Sequence, residues 1–160
     1  MRYQTCITSP SGYIKLVSTD TGVKEVTFLD EECESSESIP EILINLKKQL
    51  TEYFNGARTD FSVPLEPDGT DFQKKVWTEL SCIPFGKTIS YNELASKLGD
   101  PKVIRAAAAA NGKNPIGIVI PCHRVIGKSG KLVGYAGGLG RKKWLLDHEN
   151  RIANGVLELF

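Results

Sequence analysis

The sequence predicts an α/β (α+β) fold in two parts, a small N-terminal α/β domain with antiparallel strands and a mainly helical C-terminal domain. Two observations support this prediction. Segments in which polar and apolar residues alternate lie before residue 30, whereas apolar residues recur at helical spacing from residue 70 onward. With 160 residues and 41% hydrophobic composition, the chain can bury one sizeable core or two small ones.

The N-terminal domain is predicted to span residues 1–69 and to begin with an antiparallel meander. Its three strands are separated by Pro-Ser-Gly and Asp-Thr-Gly turns and are expected at residues 3–9, 13–18 and 23–29. The acidic stretch 30–38 is predicted to be a loop. Ser38 and Glu41 have the spacing of a capping box, so a helix is expected from there to Gly56.

The C-terminal domain is predicted to span residues 70–160, after a proline-containing linker at residues 57–69. Two further capping-box patterns mark the starts of its first two helices. They are Thr70 with Gln73, and Ser90 with Glu93.

The second of these helices is followed almost at once by another. Gly99 ends it, Asp100 can cap the next helix, and Pro101 fits the first helical position. Two short helices joined by so tight a turn are typical of a helix-turn-helix, whose second helix usually contacts nucleic acid. On this pattern alone, plain helical packing is the alternative.

The helix that begins at Pro101 contains five consecutive alanines, residues 106–110. Alanine has high helix propensity and almost no side-chain volume, so one face can approach another surface closely while Arg105 projects from it. The sequence therefore favours a contact surface, with packing against a crowded core as the alternative.

The chain is next predicted to form a buried strand at residues 116–120 that leads into Pro121. A hairpin is expected around residues 125–131, followed by a glycine-rich loop at residues 134–140. A last helix is expected from Arg141.

The net charge of +1 conceals a division along the chain. Residues 1–70 contain 6 Lys or Arg and 12 Asp or Glu, a net −6, whereas residues 71–160 contain 14 and 7, a net +7. A basic half suggests a polyanionic partner, because neutralised phosphates release condensed counterions. Lysines that only maintain solubility are the alternative.

No apolar run approaches the roughly 20 residues of a membrane-spanning helix, and the chain does not begin with a signal-peptide pattern. We therefore expect a cytosolic or nuclear protein without a membrane partner. The four cysteines include no Cys-x-x-Cys pair, and only two histidines accompany them. Reduced thiols are expected, with no disulfide framework, no metal site and no cofactor.

Cys122 follows an apolar run and directly precedes His123. A free cysteine in such a place is usually a small core residue, and it is nucleophilic only where a base or a positive environment raises its thiolate fraction. His123 can act as that base across a turn at Pro121. Its orienting partner would be His148 or Glu149, although Glu149 by itself is more typical of a solvated helix residue.

Four segments, "NGKNPI", "IPCHRVI", "GYAGG" and "RKKWLLDHE", occur in this order between residues 111 and 149. Together they resemble the O6-alkylguanine-DNA alkyltransferase family, the methylated-DNA:protein-cysteine methyltransferases, with a match that begins near residue 70. The resemblance implies a winged helix-turn-helix-like DNA-binding motif in the C-terminal domain and a monomer that binds double-stranded DNA. The implied activity is single-turnover transfer of a methyl or other alkyl group from O6-alkylguanine, with O4-alkylthymine as a further candidate substrate.

The resemblance also implies a role for each matched catalytic residue. Cys122 accepts the alkyl group, His123 activates it through a water, and Glu149 orients the histidine. Asn114 braces the turn before the cysteine, and Tyr91 hydrogen-bonds or protonates the leaving guanine.

By the same resemblance, Arg105 enters the base stack in place of a flipped nucleotide, and the helix inserts into the minor groove. The other implied DNA contacts are Lys102, Ala106, Ala107, Ala109, Ala110 and Arg124. In the base pocket, Tyr135 lies beside guanine O6, and the Val125 carbonyl faces the exocyclic amine. Ala136 and Gly137 complete the pocket. The chain departs from the family at Ala108, where glycine is usual, and at Ala136, where many members have serine.

Three other functions stay open on the sequence. The first is a lesion-binding protein of the same fold that transfers nothing, although such relatives replace the cysteine. The second is a cysteine hydrolase, for which no oxyanion-hole signature is present. The third is a helix-turn-helix regulator in which Cys122 is only a core residue, although no dimerisation segment accompanies it.

Overall fold

The computed structural model describes residues 1–155, so the last five residues of the predicted C-terminal domain lie outside the described residues. The chain forms two compact units, one of Met1–Asp68 with Pro115–Val119 and the other of Gly69–Asn114 with the chain from Ile120 onward. Residues 115–119 therefore belong to the first unit, whereas the sequence analysis placed them in the second. The mixed α/β architecture confirms the predicted fold class. No helix within the described range is long and apolar enough to cross a membrane.

The first unit contains the predicted meander. Strands β1 (Tyr3–Ser9), β2 (Gly12–Ser18) and β3 (Val23–Leu29) pair antiparallel in the order β1-β2-β3. Ile14 and Leu16 on the central strand are fully buried, because alternate side chains of a strand point to the same face.

Helix α1 (Glu41–Phe54) packs against β1 and β2 of this sheet. The predicted capping box of Ser38 and Glu41 is wrong. Pro40 is the N-cap residue, and no side chain caps the helix. Ser38 lies two residues before that cap, whereas a capping-box hydroxyl must come from the N-cap residue itself.

Residues 57–69 are held against β3, because the Val23 N–H donates to the Pro64 carbonyl and the Glu66 N–H donates to the Val23 carbonyl. One other expectation is corrected. Residues 116–120 are not a strand. Ile116 makes one isolated bridge to β3, and Ile118 then adopts a φ of 69°, which no strand residue can adopt.

The second unit is mainly helical. Its helices are α2 (Asp71–Leu80), α3 (Tyr91–Lys97), α4 (Ile104–Gly112) and α5 (Leu139–Asn154). Both predicted capping boxes, at Thr70 and at Ser90, are confirmed with both reciprocal hydrogen bonds. A short 3₁₀ turn, Pro101–Val103, precedes α4, and the Asp100 side chain caps it as expected.

A two-stranded parallel ladder fixes the geometry of this unit near Cys122. Strand β4 (Ile89–Ser90) pairs with β5 (Val125–Ile126). The predicted hairpin around residues 125–131 is therefore wrong, because β5 pairs with a distant strand and is followed by a 3₁₀ turn at Lys128–Gly130. Since α3 begins directly after β4, the ladder holds Tyr91 close to the segment that follows the cysteine.

Candidate active site

A tight turn presents Cys122. Pro121 has φ −81° and ψ 63°, and the Cys122 N–H donates to the Ile120 carbonyl at 2.8 Å. These values describe an inverse γ-turn, for which the fixed φ of proline is suited. A 3₁₀ turn, Cys122–Arg124, follows immediately. Cys122 and His123 therefore lie on a turn, as expected, and not on opposite faces of a strand.

His123 is bound to a buried carboxylate. Its Nε2 lies 2.7 Å from Glu149 Oε2, and both side chains are buried. Burial lowers the pKa of His123 more than Glu149 raises it, so the imidazole is neutral at pH 7. An ionised carboxylate only accepts hydrogen bonds, so Nε2 carries the proton and Nδ1 keeps its lone pair. Among residues 1–155, none hydrogen-bonds this Nδ1 atom.

Arg124 neutralises the same carboxylate. Its Nε and Nη2 donate to the two oxygens of Glu149 at 2.7 and 3.1 Å, and Nη1 donates to the Ile83 carbonyl at 2.6 Å. The predicted DNA contact of Arg124 is therefore wrong, because its guanidinium is buried and already bound. Burial by itself would raise the pKa of Glu149, yet His123 and Arg124 together hold it well below its usual range.

The burial of Glu149 decides between the two orienting partners considered from the sequence. A solvated Glu149 is excluded by its 1% exposure. His148, the other candidate, stacks on the Trp144 ring with 4.8 Å between centroids. No group of three or more His, Cys, Asp or Glu within the described residues is arranged to hold a metal ion.

The Cys122 thiol is 6% exposed, and burial raises its pKa. Several groups oppose this effect: the Asn114 side chain, the Lys142 ammonium, and the backbone N–H groups of Cys122 and His123. Asn114 also donates to the Ile120 carbonyl at 2.8 Å, across the turn that presents Cys122. The thiol is therefore protonated at rest but already surrounded by groups that favour its anion.

Lys142 is a central residue of the site that the sequence analysis missed. Its ammonium is fully buried and donates to the carbonyls of Val125, Val133 and Gly134 at 2.7, 3.0 and 3.2 Å. Burial lowers its pKa to about 8, and the nearby Cys122 opposes that shift. One cation therefore joins β5 to the beginning of the glycine-rich loop.

A signal for Lys142 was present in the sequence. Lys142, Leu145, Leu146 and Glu149 recur at the spacing of one helix face, and the two leucines mark that face as buried. A lysine and a glutamate at such positions require partners inside the protein.

Tyr91, the first residue of α3, donates from its hydroxyl to the Val133 carbonyl at 3.2 Å. Burial raises its pKa, with a smaller contribution from Cys122, while a hydrogen bond from the Asn111 side chain opposes the shift. The phenol therefore keeps its proton at neutral pH. Asn111, which the sequence analysis also missed, is buried and donates to the Cys122 carbonyl at 3.4 Å.

The glycine-rich loop brings Tyr135 into the same region. Burial raises the pKa of Tyr135 well above its usual value, and the negative charge of Cys122 contributes to the shift. Ala136 is exposed and Gly137 is partly buried. The Gly138 N–H donates to the Tyr135 carbonyl, and the Lys142 N–H donates to the Gly138 carbonyl, so the loop leads directly into α5.

Helix α4 and the 3₁₀ turn before it have one exposed stripe. Lys102, Arg105, Ala106 and Ala109 lie on it. Ala107 and Ala110 are buried instead. The predicted DNA contacts of these two alanines are therefore wrong. They belong to the face that packs within the unit, where the Ala110 carbonyl accepts a hydrogen bond from Trp77.

Comparison with known proteins supports the resemblance over the whole chain. The family described as "6-O-methylguanine DNA methyltransferase, DNA binding domain" matches residues 71–151. The family described as "6-O-methylguanine DNA methyltransferase, ribonuclease-like domain" matches residues 1–67.

Individual relatives and solved structures support the same family. A methylated-DNA–protein-cysteine methyltransferase of Mycolicibacterium paratuberculosis is 43% identical, with 100% of this chain and 99% of the relative covered. One from Methanosarcina barkeri is 46% identical over 92% of this chain and 96% of its own length. The crystal structure of the Mycobacterium tuberculosis O6-methylguanine methyltransferase has a TM-score of 0.85 and 42% identity, with 98% of each chain covered. A structure of Mycobacterium tuberculosis OGT in complex with DNA has a TM-score of 0.84 and 42% identity over 94% of each chain.

The buried ion pair yields a stability prediction. Glu149→Gln should lower the free energy of unfolding at pH 7 by about 3 kcal/mol, because Arg124 is left as an uncompensated buried cation. The native pKa of Glu149 is depressed, so its contribution is present above the unfolded pKa near 4.5 and is lost as the pH falls below it. Urea unfolding at pH 7 and at lower pH measures both effects.

The matched control is Asp147→Asn on the same helix, whose half-exposed partner is Lys143. This variant should lose at most about 0.5 kcal/mol. Equal losses in the two variants would contradict the assigned role of Glu149.

Lys142 yields a prediction for the thiol. Removing its ammonium in Lys142→Met should raise the pKa of Cys122, because the cation favours the thiolate. Alkylation by iodoacetamide, followed by mass spectrometry of the tryptic peptide 114–124, should then be severalfold slower at pH 7, with its pH profile displaced upward. Lys143→Met, at the adjacent and partly exposed position, should leave the profile unchanged. Coincident profiles for all three proteins would exclude a role for Lys142.

Proposed function

Because the chain belongs to the 6-O-methylguanine DNA methyltransferase family, we propose that it repairs DNA by transferring an alkyl group from O6-alkylguanine to Cys122. The observation that carries this proposal is the buried arrangement of Cys122, His123 and Glu149 on one tight turn and one helix. Of the four cysteines, only Cys122 lies beside a neutral imidazole with an available lone pair.

Activation of the thiol begins with His123. Its Nδ1 accepts the Cys122 proton through a bridging water, and the resulting imidazolium is stabilised by Glu149. The Lys142 ammonium and the N–H groups of Cys122 and His123 stabilise the thiolate that remains. Arg124 keeps Glu149 ionised throughout, so the carboxylate orients the histidine and does not take its proton.

The thiolate then attacks the alkyl carbon in line with the bond to guanine O6. A sulfur–carbon bond forms, the carbon–oxygen bond breaks, and its electron pair passes to guanine. Tyr91 donates a hydrogen bond or its proton to the departing base, for which its raised pKa keeps the phenol protonated. The Val125 carbonyl, which already accepts from Lys142, has a second lone pair for the exocyclic amine.

The product is a thioether, which is a poor leaving group. No second nucleophile among the residues placed at the site, Tyr91, His123, Glu149 and Lys142, is activated to remove it. Each molecule therefore acts once and is consumed.

DNA binding is assigned to the exposed stripe of α4. Its alanines let the helix approach the minor groove closely, and Lys102 contacts the phosphate backbone. The damaged nucleotide must leave the stack to reach a buried sulfur, at a cost of a few kcal/mol, and Arg105 takes its place. The alkyl group preferred by the pocket is set by Tyr135 and by Ala136, which offers no hydroxyl.

We assign DNA recognition and alkyl transfer to residues 70–160, which include the matched DNA-binding domain. The partner is double-stranded DNA containing O6-alkylguanine, bound by a monomer. We place the protein in the cytoplasm, or in the nucleus of a eukaryote, where DNA is accessible and thiols stay reduced.

Direct transfer is tested with an oligonucleotide that contains O6-methylguanine. The tryptic peptide 114–124 should gain the mass of one methyl group in a one-to-one reaction, because Cys122 is its only cysteine. Cys122→Ser should lose transfer and keep its affinity for DNA, whereas Cys82→Ser should react like the unaltered protein. An unmodified peptide beside intact lesion would instead favour a lesion-binding protein or a regulator, and multiple turnovers on an ester would favour a hydrolase.

The base-replacement role of Arg105 is tested by comparing two substrates. Arg105→Ala should transfer from a duplex at least tenfold more slowly than the unaltered protein, because the flipped state loses its substitute in the stack. Transfer from free O6-methylguanine should not change, because no base has to be flipped. Lys97→Ala, another exposed basic residue of this unit, is the control. Equal slowing of duplex and free-base reactions would refute the role.

A further inference from the structure

A pair of thiols lies in the first unit, and the proposed repair reaction does not use it. Cys6 on β1 and Cys33 in the acidic loop are both partly exposed. The Cys33 N–H donates to the Cys6 sulfur at 3.3 Å, and the Cys33 sulfur lies 3.8 Å from the Thr5 carbonyl. The Cys6 sulfur therefore contacts the Cys33 residue directly, which brings the two thiols close to each other.

The contact does not depend on a loosely held loop. The Ser36 N–H donates to the Gln4 carbonyl at 2.8 Å, and the Gln4 side chain donates to the Glu34 carbonyl at 2.7 Å. The Ser35 and Thr5 hydroxyls also hydrogen-bond at 3.0 Å. Residues 34–36, which directly follow Cys33, are thus fixed to β1, which keeps Cys33 beside Cys6.

The surroundings select the kind of oxidant that can reach the pair. Glu31, Glu32 and Glu34 are exposed around Cys33, and they repel anionic disulfides such as oxidised glutathione. A small neutral peroxide is not repelled. An open cleft of about 400 Å³ is lined in part by Gln4, Ser36 and Lys15, and Lys15 lies opposite Cys6 in the β1–β2 pair.

We propose that Cys6 and Cys33 form a peroxide-reactive dithiol that closes to an intramolecular disulfide while Cys122 stays reduced. In the first step, the Cys6 sulfur attacks one peroxide oxygen. The O–O bond breaks, one water leaves, and Cys6 becomes a sulfenic acid. The Cys33 thiol then attacks the Cys6 sulfur, the S–O bond breaks, and a second water leaves. Two thiols and one hydrogen peroxide thus give one disulfide and two waters.

The order of the two cysteines follows from their contacts. The proton of Cys33 is directed at the Thr5 carbonyl, and burial followed by Cys6 raises the pKa of Cys33 to about 11. Cys33 is therefore the resolving residue, and Cys6 reacts first. Cys122 is less accessible because it is 6% exposed, and Cys82, although exposed, has no second thiol beside it among the described residues.

The experiment treats the reduced full-length protein with a few equivalents of hydrogen peroxide, followed by iodoacetamide and mass spectrometry. The expected product has lost two hydrogens, and its tryptic peptides 3–15 and 25–47 are joined. The peptide 114–124 should still carry an alkylatable Cys122, and methyl transfer should be unchanged. The disulfide should raise the unfolding temperature by several degrees, because it closes a long loop.

Each single variant has its own outcome. Cys33→Ser should stop at a Cys6 sulfenic acid that dimedone traps, and Cys6→Ser should give no such product. Cys82→Ser, the matched control, should form the disulfide as the unaltered protein does. Oxidation of Cys82 or Cys122 before the pair, or independent oxidation of Cys6 and Cys33 to sulfinic acids, would overturn the proposal. The crosslink is measured apart from alkyl transfer, so either proposal can fail alone.

Discussion

One buried carboxylate organises the active site of this protein. Glu149 on α5 binds His123 and Arg124, two consecutive residues of the turn that begins with Cys122. Because a buried charge is tolerated only when it is paired, the position of the helix and the position of the turn depend on each other. Arg124 supplies the counter-charge to Glu149. Burial, with a smaller contribution from Arg124, keeps the imidazole neutral and its Nδ1 atom available as a base.

The charges around the sulfur explain why a buried thiol can still react. Two cations, Arg124 and Lys142, and one anion, Glu149, are buried in this region when Cys122 is protonated. Transfer of the Cys122 proton to His123 leaves the net charge of this region unchanged and places a sulfur anion among buried cations, which stabilise the reacting state. Lys142 also binds the carbonyls of Val125, Val133 and Gly134. The ammonium that favours the thiolate therefore also fixes the backbone of β5 and of the start of the glycine-rich loop.

The alanine-rich helix meets two different requirements. Ala107 and Ala110 are buried against the rest of the unit, whereas Ala106 and Ala109 are exposed beside Arg105. Small side chains permit close packing on the inner face and close approach to a groove on the outer face. Packing against a crowded core therefore applies to the inner face, and the outer face remains free for the proposed contact with DNA.

The sequence by itself determined the features that depend on neighbouring residues. The three strands, the two capping boxes and the turn at Pro121 follow from local patterns, because alternating side chains, capping residues and a proline specify each element from neighbouring residues. The motifs around Cys122 determined the family. Local patterns were insufficient for Ser38, where the cap fell on Pro40, and for residues 116–120, where Ile118 takes a left-handed conformation.

Only the tertiary structure decided which polar side chains are buried and which groups bind them there. Arg124 looked like a phosphate contact and Glu149 like a solvated residue, yet each is buried because the other lies 2.7 Å away. Sequence patterns assigned no role to Lys142, whose partners are three carbonyls from two separate segments, β5 and the start of the glycine-rich loop. The physical reason is that burial of a charge becomes favourable only when distant parts of the chain supply its partners. The spacing of residues in the sequence does not show which distant residues come into contact.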